Sequence, residues 1–376
     1  MILINDERRE KLGSLTDNAA NICFQCGTCS AQCPVNAFSG EPLNVRRMIR
    51  SAQTGEDYDG NLWNCATCRM CEITCPRSVS IVDVILGIRT LAFEENRVPE
   101  KMEKVVWDIY ENGNPWGGKR NERAKWAEGM DIKNARDGVQ VLLFVGCDAA
   151  YTKRLHKSVR AVAEILKSGN VDFGILGNEE NCCGEPLLNA GEHGYLDELA
   201  EKNVSSFRET GAEVIVTVSP HCSNMFRNYY RKHGLDVTVM HYSEYLYELY
   251  KKGEIRMKEI PSATITYHDP CMLSRYGNFM NGPREMLENV PGLKLVEMDH
   301  SRERSLCCGG GGNRMFLETG GSGLSDMRTD ESVAAGAKTL VTACPYCNLN
   351  LQDSARTRNL ELEVKELAEV LKEVIL

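Results

Sequence analysis

Apolar residues recur along this chain with two different periods, and the switch between them divides it. Up to about residue 93 the spacing is helical. Leu12 and Leu15 fall on one face of a short polar helix within residues 1–20. Val45, Met48, Ile49 and Ala52 recur every three to four residues within 42–53, and Val82, Val84, Ile85, Ile88, Leu91 and Ala92 repeat the pattern. Residues 94–137 are charged, and Asn112-Gly113-Asn114-Pro115-Trp116-Gly117-Gly118 reads as turn. Trp107, Trp116 and Trp126 are too apolar for a free linker, so this stretch is expected to be a strap packed against its neighbours.

From Val139 onward, short β-branched runs alternate with helical ones. Strands are expected in 139–147, 171–177, 212–219 and the start of 237–250. A second set is expected in 263–271, 293–298, 337–347 and the start of 362–375. Val159, Val162, Ala163, Ile165 and Leu166 mark a helix between the first two. Strand–helix alternation of this kind builds parallel sheets.

Composition adds one anomaly. The 376 residues are 42% hydrophobic and 26% charged, ordinary for a globular protein, but 17 are cysteine. The net charge of −9 argues against a nucleic-acid surface. The start, MILINDERREKLGSL, has only a brief apolar run, so no secretion leader is expected. No apolar stretch of about 18 residues exists to cross a membrane. A cytoplasmic chain, peripheral to a membrane only through a partner, is the expectation. Many cysteines in an unexported chain read as metal ligands rather than disulfides.

Their spacing says which metal. Cys23, Cys26, Cys29 and Cys33-Pro34 follow C-x2-C-x2-C-x3-C-P, and Cys65, Cys68, Cys71 and Cys75-Pro76 follow it again. This is the bacterial ferredoxin run for [4Fe–4S] clusters, in which the fourth cysteine reaches the other cluster. One cubane is therefore assigned to Cys23, Cys26, Cys29 and Cys75, the other to Cys65, Cys68, Cys71 and Cys33. Two structural zinc sites are the alternative, but zinc usually takes separated C-x2-C pairs. The surrounding helices resemble the α-helical ferredoxin domain of respiratory iron–sulfur subunits.

The remaining cysteines come in two sets. Cys147, Cys182, Cys183 and Cys222 precede Cys271, Cys307, Cys308, Cys344 and Cys347, with offsets 271−147 = 124, 307−182 = 125 and 347−222 = 125. Each set carries an adjacent Cys-Cys-Gly and follows strand ends, where open parallel sheets place their sites. The register implies a duplication. The fold class is α+β multidomain, with a helical ferredoxin domain (1–93), the strap (94–137), and two pseudosymmetric α/β halves (138–258 and 259–376). The Gly309–Gly312 run, with Gly320, Gly321 and Gly323 beyond, lacks the strand–GxGxxG–helix context of a nucleotide loop. Backbone packing over a cluster is expected instead.

The pattern C-x35-C-C-G-x34-C-P-x-C from Cys271 to Cys347 resembles the CCG motif of heterodisulfide reductase and its relatives. The layout is similar to the fused form of that reductase. It also resembles iron–sulfur subunits of glycolate and lactate oxidases and of anaerobic glycerol-3-phosphate dehydrogenase. The resemblance implies a noncubane [4Fe–4S] cluster on Cys271, Cys307, Cys308, Cys344 and Cys347. The first set departs from the pattern, with Ser219 at the position of Cys344. A serine hydroxyl is a poor ligand for soft iron, so Cys147, Cys182, Cys183 and Cys222 are left with a further [4Fe–4S] cluster, a zinc ion or no metal. His221 aligns with the non-ligand Tyr346. His268 either donates to a cluster sulfur or relays a proton. Arg69, Arg77, Arg275 and Arg314 lie near the motifs and either tune the clusters or remain solvated.

No flavin, nicotinamide or haem motif is present. The expectation is an electron-transfer subunit of an anaerobic oxidoreductase complex. Its partner would be a flavoprotein, a membrane cytochrome or a further iron–sulfur subunit. Two alternatives stay open: a catalytic subunit reducing a heterodisulfide such as CoM-S-S-CoB at the Cys307–Cys308 cluster, and a zinc-stabilised scaffold.

Overall fold

A computed structural model describes residues 4–38, 43–58, 60–317 and 323–375. Gly320 and Gly321 lie outside the described residues. The N-terminal part is helical, with its principal helices at Asp6–Leu15, Val45–Thr54 and Ile81–Glu94. Asn5 and Asn44 cap the first two, each side chain accepting a first-turn amide. The apolar stripe of the second helix is buried as expected, and so is that of the third. In the first helix only Leu12 is buried; Leu15 is exposed. That helix packs on its two neighbours through a narrow stripe, and Leu15 falls beyond its edge.

The strap contains more structure than its charges suggest. Glu100–Asn112 is a helix whose Met102, Val105 and Ile109 pack into the first α/β half. Gly113 ends it at φ +70°, the left-handed conformation that suits glycine. Asn114 then organises the expected turn, its Oδ1 accepting from the Trp116 and Gly118 amides. Only Trp126 of the three tryptophans is fully buried. Trp107 stays at the surface, stacked on Tyr110.

Among the described residues, the α/β region holds nine strands: β1 (Lys133–Asn134), β2 (Val141–Phe144), β3 (Phe173–Ile175), β4 (Val214–Thr217), β5 (Thr238–His241), β6 (Ala263–His268), β7 (Leu293–Val296), β8 (Thr339–Thr342) and β9 (Glu363–Glu366). They form two all-parallel sheets, β1-β3-β2-β4-β5 and β7-β6-β8-β9. The second repeats the order of the last four strands of the first. Central strands such as β2 are buried throughout, the continuous apolar run expected of a covered parallel sheet.

The two halves exchange their closing helices. Leu367–Val374, at the end of the second half, packs on His156–Ser168 of the first, where Ser158 donates to Glu369. Tyr242–Lys251, at the end of the first, packs on Asn281–Glu288 of the second, where Tyr247 donates to Glu285. One apolar core therefore runs through both, from Val141 and Leu143 to Val341 and Leu371. A separate core fills the N-terminal part and reaches Cys271, Met272, Cys307 and Leu324. Among the described residues, no helix is long and apolar enough to cross a membrane.

Candidate metal centres

The two ferredoxin motifs fold alike. Gln25 and Thr67, each just before a motif's second cysteine, take left-handed φ of +63° and +48°. Gly27 and Arg69 do the same one residue after it. A β-branched residue at positive φ is strained, and such strain gathers at functional sites. Here it curls the backbone around the sulfurs, so that the Gln25 and Thr67 amides donate to Cys23 and Cys65 Sγ at 3.3 and 3.4 Å.

The two motifs also lie against each other. Cys33 lies within electrostatic reach of Cys65, Cys68 and Cys71, and burial pushes its thiol up to about 12. Cys29 lies beside Cys23 and Cys26. Arg77, two residues after Cys75, donates to the Ile22 carbonyl just before Cys23, closing the second motif's end onto the first motif's start.

The sites of the two halves lie beyond the carboxyl ends of their strands. Cys222 and Cys347 occupy the first turns of helices Pro220–Asn228 and Pro345–Thr357, whose positive ends favour thiolates. Ser219 and Cys344 are the matching N-cap residues, and neither side chain caps its helix. In each adjacent pair a glycine amide donates to the first sulfur, Gly184 to Cys182 at 3.4 Å and Gly309 to Cys307 at 3.3 Å.

Cys271, Cys307, Cys308, Cys347 and Cys344 form one continuous chain of hydrogen-bonded thiols. Two of them are held toward the thiolate form. The neighbouring thiols of Cys307 and Cys347, and then His268, hold Cys308 well below the ordinary thiol range. Against the upward push of burial, Cys347 and His221 bring Cys344 down to about 6. The roles at His268 are fixed by its other partner. Arg328 Nε donates to its Nδ1 at 3.2 Å, so Nδ1 accepts and Nε2 carries the hydrogen. That tautomer leaves the Nε2 hydrogen unpaired, open to a cluster sulfur or to passing a proton, the two roles the sequence allows. The Nδ1/Nε2 and Sγ atoms of His268, Cys308 and Cys347 lie within 4.8 Å of one another.

In the first half Cys147, Cys182, Cys183 and Cys222 also join in one hydrogen-bonded chain. Here every thiol is raised; burial drives Cys147 up, and Cys222 stands at about 11. Arg123 lies 3.6 Å from Cys147 Sγ but is already paired with the buried Glu180 at 2.7 Å. The two thiol sets are unequal in protonation as well as in number.

His221 does not turn toward the cysteine beside it in its own half. It reaches across to Cys344, while its Nδ1 faces Glu185 Oε1 at 3.1 Å. Tyr346, its counterpart, packs against it with the rings tilted and their centroids 4.6 Å apart, and lies near Cys182 and Cys183. The sequence offset pairs these two residues, but nothing in it says that each serves the opposite half. Asp148, Glu185 and Arg328 carry no sequence signal for their places around the sites.

The site on the second ferredoxin motif abuts the five-cysteine site. The Cys68 and Cys307 thiols are close neighbours, each acting on the other's protonation. The Gly309–Gly312 run lies on the Cys65–Ala66 backbone, where a Cβ at Gly312 would stand 2.1 Å from the Cys65 carbonyl. Three arginines stitch this seam through backbone carbonyls. Arg89 donates to Cys65 and Gly312, Arg275 to Cys68 and Ser305, and Arg314 to Asn64 and Gly309. Arg69 lies over the Tyr276 ring and Arg77 is exposed.

An all-sulfur donor set suits an iron–sulfur cluster, and the surroundings fit one. Arg89 and Arg275 make no carboxylate ion pair among the described residues, and the buried Arg89 Nε, Arg275 Nη2 and His268 Nε2 have no hydrogen-bond partner among them. Buried cations and donors of this kind are costly without an anion. Thiolate-ligated clusters on either side of the seam are anionic and accept hydrogen bonds at sulfur.

Comparison with known proteins agrees with this reading. The cysteine-rich CCG domain pattern matches residues 141–227 and 265–352, and a 4Fe–4S dicluster domain matches 19–79. The chain belongs to the CCG-domain iron–sulfur protein family. One member, named as a probable iron–sulfur-binding oxidoreductase of Bacillus subtilis, is 35% identical over 84% of this chain and 46% of its own length. The EtfAB:quinone oxidoreductase of Syntrophomonas wolfei is 29% identical over 82% of this chain and 46% of its own. The chain thus spans about half the length of these two CCG-domain relatives. A component of the dihydromethanophenazine:CoB–CoM heterodisulfide reductase of Methanosarcina mazei is 29% identical over 94% of this chain and 93% of its own.

Proposed function

We propose that this chain is an iron–sulfur electron-transfer subunit of an oxidoreductase complex. Cys23, Cys26, Cys29 and Cys75 would hold one cubane [4Fe–4S] cluster and Cys65, Cys68, Cys71 and Cys33 another. Cys271, Cys307, Cys308, Cys344 and Cys347 would hold a noncubane cluster. Bound there, the clusters supply one-electron carriage. The observation that supports the reading is the Cys68–Cys307 contact, which sets the second ferredoxin site directly against the five-cysteine site.

The protein's own groups order the path and shape its end. Arg89, Arg275 and Arg314 hold the seam closed and exclude water from it. His268 and His221 present N–H groups to Cys308 and Cys344. Both would favour the more negative state of an occupant, because hydrogen bonds to sulfur and nearby positive groups raise cluster potentials. The Cys147 set stands apart as an incomplete copy, and electrons end on the five-cysteine side.

The reading is tested by anaerobic purification with iron, sulfide and zinc analysis and Mössbauer spectroscopy. Two cubanes and one distinct noncubane cluster are expected. Two equivalent noncubane clusters would overturn the asymmetry. Stoichiometric zinc without iron would overturn the electron path and favour the scaffold.

A second reading is favoured by a cavity of about 510 Å³ that reaches Cys308 between Gly309, Arg314, Asn350 and Asp353. It offers a small disulfide direct access to this site. There the S–S bond would take up two electrons and two protons to give two thiols. Steady-state reduction of CoM-S-S-CoB by the isolated chain with a reduced viologen dye separates the two readings.

A further inference from the structure

Of the 17 cysteines, Cys26 alone is exposed; the only half-buried ones, Cys23 and Cys75, belong to the same proposed set. The first ferredoxin site thus comes to the surface, while the others are enclosed. Its edge is framed by large apolar side chains. Ile22 and Phe24 flank Cys23 and are 47% and 59% exposed, and Ile73, just before Cys75 in the chain, is 42% exposed. Single exposed apolar residues are ordinary. Three in the short segments that carry Cys23, Cys26 and Cys75, segments joined by the Arg77–Ile22 bond, gather at one site in the way that marks a contact surface.

The rim of this patch is basic. Arg46, Arg47 and Arg50 stand exposed on Val45–Thr54 and line a surface cavity of about 550 Å³ with Gln25, Gly27 and Ser30. Arg46 lies over Gly27, next to Cys26, where an added Cβ would meet its Cδ and Nη1 at 3.6 Å. Arg77 is exposed beside Ile22. Arg46 and Arg50 lie four apart on one helix, where like charges repel; Glu56 reaches Arg50 at 3.5 Å and offsets one charge of the four arginines. An apolar centre with an arginine rim is the anatomy of a protein contact face.

We infer that this face docks a one-electron carrier protein, or redox subunit, whose own contact face is acidic. The argument is charge complementarity. The chain as a whole carries −9, so an acidic partner is repelled over most of the surface. It is drawn in where arginines dominate within a Debye length, about 8 Å at physiological salt. That field orients the partner with its redox centre toward Cys26. Each productive encounter moves one electron between the carrier and the site, with no atom transferred: whichever side gives the electron is oxidised by one equivalent and the other reduced by one. The inference rests on the proposed cluster assignment only for this last step; the docking itself depends on the surface alone.

The test uses the full holoprotein and an oxidised acidic [2Fe–2S] ferredoxin as probe, with basic cytochrome c of similar size as control. Calorimetric titration at low and high salt should give ferredoxin binding that weakens at least tenfold as salt rises. Arg46→Glu with Arg50→Glu should weaken it at least tenfold at low salt, and Phe24→Ala several-fold. Cytochrome c binding should not weaken in the charge-reversed protein. Iron content and the dithionite-reduced EPR spectrum should match wild type in every variant, which separates loss of docking from loss of a cluster. Ferredoxin affinity unchanged by the charge reversal, or insensitive to salt, would overturn the inference. Absence of a cubane at Cys23, Cys26, Cys29 and Cys75 would instead overturn the cluster assignment while leaving the binding result standing.

Discussion

Gly312→Ala probes the seam between the ferredoxin part and the second half. Gly312 sits at φ +61°, and an added Cβ would lie 2.1 Å from the Cys65 carbonyl oxygen and 3.1 Å from Ala66. An L-residue in this left-handed conformation costs about 1–2 kcal/mol. The clash is with backbone, so it is relieved only by parting the two segments by about 1 Å, at an overpacking cost of roughly 1–3 kcal/mol. Parting them also stretches the Arg89 bridge that donates to Gly312 and Cys65 at 3.2 and 3.0 Å. A total near 3 kcal/mol should lower the apparent melting temperature by roughly 6–10 °C. Gly310→Ala is the internal control. Its Cβ would meet only the Asn350 Nδ2 and the Met315 thioether, at 3.1–3.3 Å. These side chains can rotate, so the expected cost is below about 1 kcal/mol. Anaerobic melting curves, with EPR of the reduced second cubane, read the outcome. If both variants melt together and their spectra match wild type, the glycine run is not the seat of the ferredoxin part.

Cys308→Ser should abolish the unusual five-cysteine cluster signal while Cys183→Ser preserves it, as read by EPR; the reverse would make the first half the active one. His221→Phe removes an N–H donor to Cys344. With such a bond worth about 1.5 kcal/mol, the cluster potential should fall on the order of 60 mV in an EPR-monitored titration, and an unchanged potential would contradict the contact across the halves. Burial depresses His241 to about 3, well under the usual histidine value. This neutral residue therefore contributes stability that is fully present above about pH 6.5 and is lost as pH falls toward 3. From pH 7 to 5.5 wild type should lose about 1.4 kcal/mol more than His241→Asn in denaturant titrations, whereas parallel curves would mean that His241 is not held neutral. Removing iron should expose the ferredoxin part to protease while the α/β part persists. The segments around its cysteines are four-residue helices, Thr28–Ala31 and Met70–Ile73, with little packing of their own. Equal protease resistance with and without iron, read by gel and mass spectrometry, would contradict this.

Much of this protein is legible in its sequence because the signals are local. Cysteine spacing within one turn of chain declares the ferredoxin motifs, and alternation of β-branched runs with helical stripes declares both sheets. The offset of 124–125 residues pairs the cysteine sets and marks Ser219 as the gap. Where local signals conflicted, legibility failed. The charges of Glu100–Asn112 hid the 102, 105, 109 stripe of a helix, and Leu15 looked like a partner of Leu12 until packing left it outside. Tertiary structure alone decided which surfaces meet. Cys68 touches Cys307, 239 residues away by subtraction of their positions, and His221 turns to Cys344 in the opposite half. The exchange of closing helices is equally nonlocal. Such contacts arise from fitting whole faces together, with buried cations, carbonyls and sulfurs satisfied at once. No periodicity along the chain records that fit, and it is what brings the second ferredoxin motif against the five-cysteine set.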